Sequence, residues 1–402
     1  MGLRNFFDNM SPNFQKGGKY EKYYAVFEMI ETFCYTPRTV TTVAPHARDY
    51  IDTKRIMTYV VLSTIPALLF GLYNTGLQAN LALDSLNMNE LSGIRGWLLS
   101  LLGYDYDVSS YLGNMLLGLT YWLPIYITTL LIGGIAEVVF ALVRGHEVTE
   151  GFLVTSMLFS LTMPATIPLW QVALGISFGV ILGKEVFGGQ GKNFMNPALV
   201  GRSFLYFAYP AQISGNSVWV GVDGFSGATA LNLGATGGVE MIEKAGISLQ
   251  DAFIGTIPGS IGESSTLAIL IGLSFLLFTR IANYRMVFGC VVGMIVTTML
   301  LNYIGSETNP MFSVPWYWHF VIGGYAFGLV FMVTEPVSGA ATNKGRWIYG
   351  MLIGFMVIII RVVNPAFPEG MMLAILFGNI FAPLIDYFVV QANYKRRVKR
   401  DV

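Results

Sequence analysis

Apolar runs of about 20 residues recur along the whole of this 402-residue chain, and they leave it one environment in which to fold. A helix needs about 20 predominantly apolar residues to cross the roughly 30 Å hydrocarbon core of a bilayer. Inside that core every backbone N–H and C=O must be paired within the fold, which a helix does by itself. Hydrophobic residues make up 54% of the chain and charged residues only 12%, against about 25% charged in an ordinary soluble domain; the mean hydropathy is +0.57. The chain is therefore read as an all-α polytopic membrane protein. Ten spans are predicted, at roughly 56–78, 114–142, 152–167, 169–184, 194–210, 264–280, 286–304, 317–333, 347–362 and 371–390. The third and fourth are separated only by Ala165-Thr166-Ile167-Pro168, and the fifth carries Pro197 and Arg202.

The net charge is zero, but its distribution orients the spans. Lys and Arg gather on the cytoplasmic side of membrane proteins. With both termini cytoplasmic, the inner segments hold 20 of the 24 basic residues and the outer segments hold 2, Arg95 and Lys244; Arg202 and Arg361 fall within spans or at their ends. The tail Tyr394-Lys395-Arg396-Arg397-Val398-Lys399-Arg400 is then a cytoplasmic anchor beside anionic membrane lipid. The organisation that follows is a cytoplasmic N-terminal segment, 1–55, with an amphipathic helix, a first five-span unit, 56–210, an extracytoplasmic loop, 211–263, a second five-span unit, 264–390, and a basic tail, 391–402. The first 55 residues are polar and aromatic rather than signal-like, so the first span is expected to act as the insertion signal. Within them, EKYYAVFEMIETFCYTP spaces aromatic and apolar residues as a helix lying on the inner surface does, where it could also dock a partner subunit.

One pattern occurs twice. Thr162-Met163-Pro164 is followed by a span and then Asn196-Pro197-Ala198; Thr334-Glu335-Pro336 is followed by a span and then Asn364-Pro365-Ala366. In the predicted topology the two copies face opposite surfaces, as five spans per unit requires. The chain is thus expected to contain two inverted five-helix repeats, whose broken helices line a shared interior. Proline frees a backbone carbonyl and asparagine can occupy its place, so Asn-Pro-Ala can open a half-helix at a cavity.

Ionisable residues inside apolar runs usually face protein or water and carry function. Here they are Glu137, Glu335, Asp386 and Arg202, with snorkelling to an interface as the alternative for each, Asp386 above all. The pair Gly133-Gly134 lies one turn before Glu137 and reads either as a close helix contact or as a backbone gap admitting a flat ligand. GKEVFGGQGKN (183–193) is not a phosphate-binding P-loop: Lys192 is followed by Asn193, and Val186 stands where the first glycine belongs. The two cysteines, Cys34 and Cys290, and the scattered His46, His146 and His319 offer no disulfide framework and no metal-ligand spacing. No serine-histidine-acid arrangement is visible, and no nucleic-acid partner is implied.

The stretch VDGFSGATALN (222–232) is almost wholly small residues around one hydroxyl, Thr229, on the predicted outer face. From the residues alone it is a flexible loop with an unobstructed hydroxyl suited to modification. Asp-Gly-x-Ser-Gly-Ala-Thr resembles the flavinylation motif at which a flavin transferase joins FMN to threonine through a phosphoester. Together with GKEVFGGQGKNFMNPALVGRSFLYFAYPAQISG, IGTIPGSIGESSTLA, VTEPVSG and RVVNPAFPEGMMLAILFGNIFAPLID, it makes the chain resemble, over essentially its whole length, the B subunits of sodium-translocating NADH:quinone oxidoreductases.

The resemblance implies a urea-transporter-like fold of ten transmembrane helices in a bacterial inner membrane. It implies covalent FMN on Thr229, facing the periplasm, noncovalent riboflavin near Asn193 and Asn196, and a ubiquinone site at Gly133 and Gly134 with the N-terminal segment. Glu137, Glu335 and Asp386 become candidates for coupling to sodium. The implied partners are the A, C, D, E and F subunits of the complex, the transferase and membrane lipid. Electrons would pass from a partner's flavin through FMN and riboflavin to quinone. One alternative is the D subunit of an Rnf-type complex, which shares the motif but generally begins near the segment matching APHARDYIDTKRIM; this chain has about 43 residues before it. A second alternative is a small-solute channel or transporter of the same fold.

Overall fold

A computed structural model describes residues 3–15, 17–35, 53–88, 90–145, 148, 151–364 and 368–399. His46, His146 and most of the APHARDYIDTKRIM segment lie outside the described residues, as do Pro365 and Ala366 of the second Asn-Pro-Ala. Among the described residues every regular element is a helix. In chain order they are α1 (Leu3–Phe14), α2 (Tyr24–Cys34), α3 (Thr53–Ser85), α4 (Gly93–Leu101), α5 (Tyr111–Arg144), α6 (Gly151–Leu161), α7 (Leu169–Gly183), α8 (Pro197–Ala208), α9 (Pro210–Ile213), α10 (Ala230–Lys244), α11 (Leu249–Ile254), α12 (Thr266–Phe278), α13 (Tyr284–Ile304), α14 (Trp316–Val321), α15 (Tyr325–Phe327), α16 (Asn343–Ile358) and α17 (Gly370–Val398). Helix α15 continues as a π-helical turn, Gly328–Met332, and α16 as another, Ile359–Val363.

Each predicted span coincides with a helical element, but six segments are long and apolar enough to cross a membrane: Arg55–Ser85, Tyr111–Arg144, Leu169–Phe187, Tyr284–Ile304, Asn343–Val363 and Gly370–Val398. The other four are shorter than expected. Helix α6 stops at Leu161, so the third predicted span loses its last turn and a half to a non-helical stretch, buried from Thr162 to Ala165, that ends at Pro168. Helix α8 starts only at Pro197, where the Asn196 side chain accepts from the Ala198 and Leu199 amides at 3.0 and 3.2 Å and the proline takes the first helical position. The eighth span is broken between α14 and α15 by Gly323 and Gly324, both at φ +67. At 11 to 13 residues, α6, α8 and α12 are about 16–20 Å long, too short to cross alone. They pack among the long helices, and nine of the eleven residues of α6 are buried.

The long helices pair closely. Helix α3 lies along α5 and α12, α5 also along α7, and α13 along α16, with α7–α8 and α16–α17 as further neighbours. At the α3–α5 crossing, a Cβ on Gly76 would overlap the Asn114 carbonyl and one on Gly118 the Leu72 carbonyl, so the two backbones touch. Beyond the crossing, the last turns of α3 form a separate small core with Leu99, Leu117, Tyr121, Val220 and Val222.

The 211–263 segment is not simply a loop. It holds α10, kinked at Gly237-Gly238, and α11, whose Ser248 and Asp251 form a reciprocal capping box. At the other end of the molecule α2 forms as the aromatic spacing predicts. It packs on α1 through Phe14 and Phe27, stacked with centroids 4.6 Å apart, and reaches the α5 helix.

Candidate functional site

Two cavities lie back to back in the helical interior. Thr229, Arg202, Glu263 and Glu369 line the first. Arg202 projects from α8 into an apolar run, where an unpaired charge would be costly. It is held by two carboxylates: Nη1 to Glu263 Oε1 at 2.9 Å and Nη2 to Glu369 Oε2 at 3.4 Å. Their side chains are 8%, 12% and 21% exposed, so the cluster is largely shielded from water. Ser260 donates a further bond to Glu263. The cluster ties together α8, the turn before α12 and the residue that opens α17. Gly324 lies against it: a Cβ there would come within 2.8 Å of the Glu263 carboxyl. The Arg202 Nε and the buried Ser264 hydroxyl have no hydrogen-bond partner among the described residues, so polar capacity is left facing this cavity.

Thr229 stands on the wall of the same cavity as the N-cap of α10. Its Oγ1 accepts from the Asn232 amide at 3.2 Å, and the residue is half-buried. The hydroxyl is therefore positioned rather than free on a flexible loop, as the small residues around it suggested. Asn216 fixes the approach from both sides, taking the Gly227 amide on its carbonyl at 2.8 Å and the Asn232 side-chain amide on its own. Gly224, at φ +83 with nothing within 4 Å, makes the turn that only glycine takes without strain.

The second cavity is lined by Met57, Thr155, Gln190, Asn196, Thr334 and Glu335, among others. Asn196 is committed to capping α8. Asn193 is buried; its amide donates to the Met195 carbonyl at 3.1 Å while its Oδ1 accepts nothing among the described residues. Glu335 accepts from the Ser338 hydroxyl at 2.6 Å, and the Asn193, Asn196 and Lys184 side chains face it. Between the cavities stand Leu199, Phe331 and Met332, all at most 3% exposed. From Asn196 to Leu199 is three residues, about 4.5 Å of helical rise.

The remaining predicted residues divide. Glu137 is buried in α5 and ion-paired with Lys184, which is itself 1% exposed; Lys184 belongs to the interior and not to the inner surface where the charge count placed it. Gly133 is a close contact: a Cβ there would fall 2.6 Å from the Phe152 ring and 2.9 Å from Ile176. Gly134, half-exposed, has only Phe152 within reach, at 3.6 Å. The cleft between the N-terminal helices and α5 is lined by Phe14, Tyr20, Tyr23, Ala141 and Leu142, about two turns along α5 from Gly134. Asp386 accepts from the Ala341 and Thr342 amides at 2.6 and 3.0 Å and from the Thr342 hydroxyl at 2.5 Å, which makes it an anchor for the entry to α16.

Glu263, Glu369 and Lys184 were not singled out from sequence. The available signal was Arg202 itself, since an arginine within an apolar run calls for a counter-charge.

The sequence profile of the NQR2, RnfD, RnfE family matches residues 40–395. Over 404 residues the chain is 60% identical to the B subunit of the Na(+)-translocating NADH-quinone reductase of Ectopseudomonas mendocina, with all of both chains covered. It is 59% identical over 401 residues to the same-named protein from Chromohalobacter salexigens, covering all of this chain and 97% of the other. Identity to its Pseudomonas aeruginosa PAO1 namesake is 58% over 403 residues, again with full coverage of both.

Proposed function

The chain belongs to the NQR2, RnfD, RnfE family, and from that membership we propose that it is the B subunit of a sodium-translocating NADH:quinone reductase, the role for which its full-length relatives are named. It would sit in a bacterial inner membrane with both termini cytoplasmic and Thr229 on the periplasmic side, assembled with the A, C, D, E and F subunits. Thr229 would carry FMN through a phosphoester made by a flavin transferase. Riboflavin would lie at the second cavity beside Asn193 and Asn196, and ubiquinone would be reduced near Gly134 and the N-terminal cleft.

The observation that carries this reading is the position of Thr229. Thr229 lines a cavity that is also lined by a guanidinium held between two carboxylates. A flavin supplies one- and two-electron redox chemistry when bound. The residues here fit such a group. The N-cap geometry holds the attachment oxygen still, and the unpaired N–H groups at the start of α10 favour a phosphate. Arg202 offers positive charge, and Leu199 and Met332 exclude water. Asn193 does not line the second cavity but stands beside Glu335, which does, and its unmatched Oδ1 is an orphaned polar atom that a ring N–H would satisfy. Glu335 lines that cavity, while Glu137 and Asp386 are engaged in an ion pair and a cap, so Glu335 is the acid best placed to meet a sodium ion.

The packing supports the inverted repeat. If α3, α5, α6, α7 and α8 correspond to α12, α13, α14–α15, α16 and α17, then α3–α12 and α8–α17 are pairs on the pseudo-twofold axis, and both are in contact. The pairings α5–α7, α7–α8 and α3–α6 recur as α13–α16, α16–α17 and α12–α15. Thr162 and Thr334 also match, each donating to a carbonyl one turn back, Phe159 at 2.9 Å and Val330 at 2.6 Å, just before the proline. The long α3–α5 contact has no equally extensive counterpart between α12 and α13.

The test is direct. Purified chain in a denaturing gel should carry flavin fluorescence, and Thr229→Ala should remove it without loss of the protein. A fluorescent band that persists in the variant rejects the assignment. An Rnf-type subunit is less favoured, since α1 and α2 form a built element resting on α5; a channel would show no fluorescence at all.

A further inference from the structure

Outside both cavities, one groove combines features that belong together only in the presence of a third component. It runs between α16 and α17, has a volume of about 340 Å³, and is lined by Lys344, Ile348, Ile385, Phe388, Val389 and Arg396 together with Ala392 and Asn393. The two helices are antiparallel. Ile353 meets Gly378, the Tyr349 hydroxyl and the Asn379 side-chain amide are hydrogen-bonded at 2.7 Å, and Gly345 lies against Asp386, so each step along one helix is a step back along the other.

This register sets the depth of every lining residue. On α17 the positions 385, 388, 389, 392, 393 and 396 share one face. They run from apolar to cationic over eleven residues, about 16 Å. On α16, Ile348 lies one turn deeper than Lys344. Helical side chains lean toward their own N-terminus, so Lys344 points out of the membrane and Arg396 points back into it. The two cations therefore converge from opposite directions on the level of Ala392 and Asn393, above an apolar floor. Ile348 is 46% and Phe388 62% exposed there.

The charge around the groove is of one sign. Among the described residues at this end of α16 and α17, Lys344, Arg346, Lys395, Arg396, Arg397 and Lys399 stand against one acid, Asp386, whose oxygens already accept three bonds from Ala341 and Thr342. Arg396 donates to Asn393 at 3.2 Å, which leaves guanidinium donors over. A protein segment with an acidic tip would match the cations but would not call for a floor that deepens toward the bilayer centre.

We propose that this groove is a binding site for one anionic phospholipid, with its phosphate between Lys344 and Arg396 and an acyl chain along Ile348, Ile385 and Phe388. Basic pockets between membrane helices at the cytoplasmic side hold such headgroups. A zwitterionic lipid would bring its own cation against Lys344 and Arg396 and is disfavoured. The inference does not depend on the redox reading.

The test uses the assembled complex, purified, stripped of lipid, and then offered phosphatidylglycerol or phosphatidylcholine in mixed micelles, with bound lipid counted by native mass spectrometry. Wild type should bind one more phosphatidylglycerol than Lys344→Ala/Arg396→Ala, whose affinity at that site should fall about thirtyfold, the combined electrostatic contribution of two surface cations. The charge-conserving Lys344→Arg/Arg396→Lys should retain the lipid, and Phe388→Ala should weaken it with the charges intact. Equal phosphatidylglycerol counts in wild type and the double alanine variant would overturn the proposal. So would equal retention of phosphatidylcholine at this site, or a double variant that sheds a partner subunit while keeping the lipid.

Discussion

Glu137→Gln separates a sodium-coupling acid from a structural one. Glu137 and Lys184 pair with side chains 4% and 1% exposed, so solvent screening does little to weaken the interaction. Removing one partner of a buried pair leaves the other charged in a low-dielectric interior, at a cost of about 3–5 kcal/mol. The lower end applies here, because the Lys184 ammonium also faces Glu335 and is not left wholly uncompensated. Glu137→Gln should therefore destabilise the subunit by about 3 kcal/mol, and Lys184→Met by a similar amount. The double variant Glu137→Gln/Lys184→Met removes both charges of the pair and leaves Glu335 to Ser338, Asn193 and Asn196; it should recover to within about 1 kcal/mol of wild type, since replacing a buried pair by neutral groups is often close to neutral. Denaturant titration of the complex in mild detergent, run as a double-mutant cycle, gives the coupling energy directly. Sodium-stimulated quinone reduction provides the second readout. A double variant that is stable and retains sodium stimulation assigns the pair to structure. Additive losses in stability would refute the reasoning from burial, and a stable double variant without sodium response would return Glu137 to the coupling role.

Gly133→Ala should destabilise by about 1–3 kcal/mol, because its Cβ lands 2.6 Å from the Phe152 ring, whereas Gly134→Ala should be tolerated within about 0.5 kcal/mol; thermal denaturation of the two side by side checks this. Gly134→Leu should slow quinone reduction while leaving flavin attachment intact, and unchanged quinone kinetics would count against a ligand at that face. Asp386→Asn replaces one of the two oxygens that share these three bonds by an N–H donor and should loosen the turn before α16, seen as faster proteolysis near Ala341. The Asp251 carboxyl is held below its ordinary 3.8 by the hydroxyl and amide of Ser248. Its cap on α11 is thus present above the ordinary carboxylate value and is lost as the pH falls through the depressed value, and the protection factors of the α11 amides, corrected for intrinsic exchange, should fall on acidification in wild type but be low throughout in Ser248→Ala.

What could be read from sequence follows from the range of the physics involved. Helices α3, α5, α13, α16 and α17 announce themselves because membrane solvation acts on every residue of a long segment. The ends of α6 and α8 do not, since they depend on where Asn196 can cap and Pro168 must interrupt. Arg202 was visible as an anomaly, but its partners lie 61 and 167 residues away, and no local pattern links them. Lys184 was misplaced for the same reason: next to a glycine-rich turn it looks like a surface cation, and only the fold brings Glu137 to it. The motif singles out Thr229, while its role as the N-cap of α10 required the helix to be seen.

The partition between the two cavities bears on how electrons and sodium could be coupled. Leu199, Phe331 and Met332 supply no oxygen ligand from their side chains, and a bare ion in such surroundings would lose its hydration without compensation. An electron has no hydration shell to lose, so the same apolar side chains would not bar electron transfer between redox groups held on either side of them. The same wall would thus conduct one species and stop the other. A sodium ion using this interior would need the wall to move. Phe331 and Met332 belong to the segment that begins at the broken Gly323-Gly324 turn and runs through the π-helical Gly328–Met332, a geometry in which the regular helical ladder is already interrupted. Coupling would then require that this segment have two arrangements of different sodium affinity and that the redox state choose between them. A chain in which α15 and its π-turn stayed fixed through a full redox cycle would have to carry sodium elsewhere in the complex.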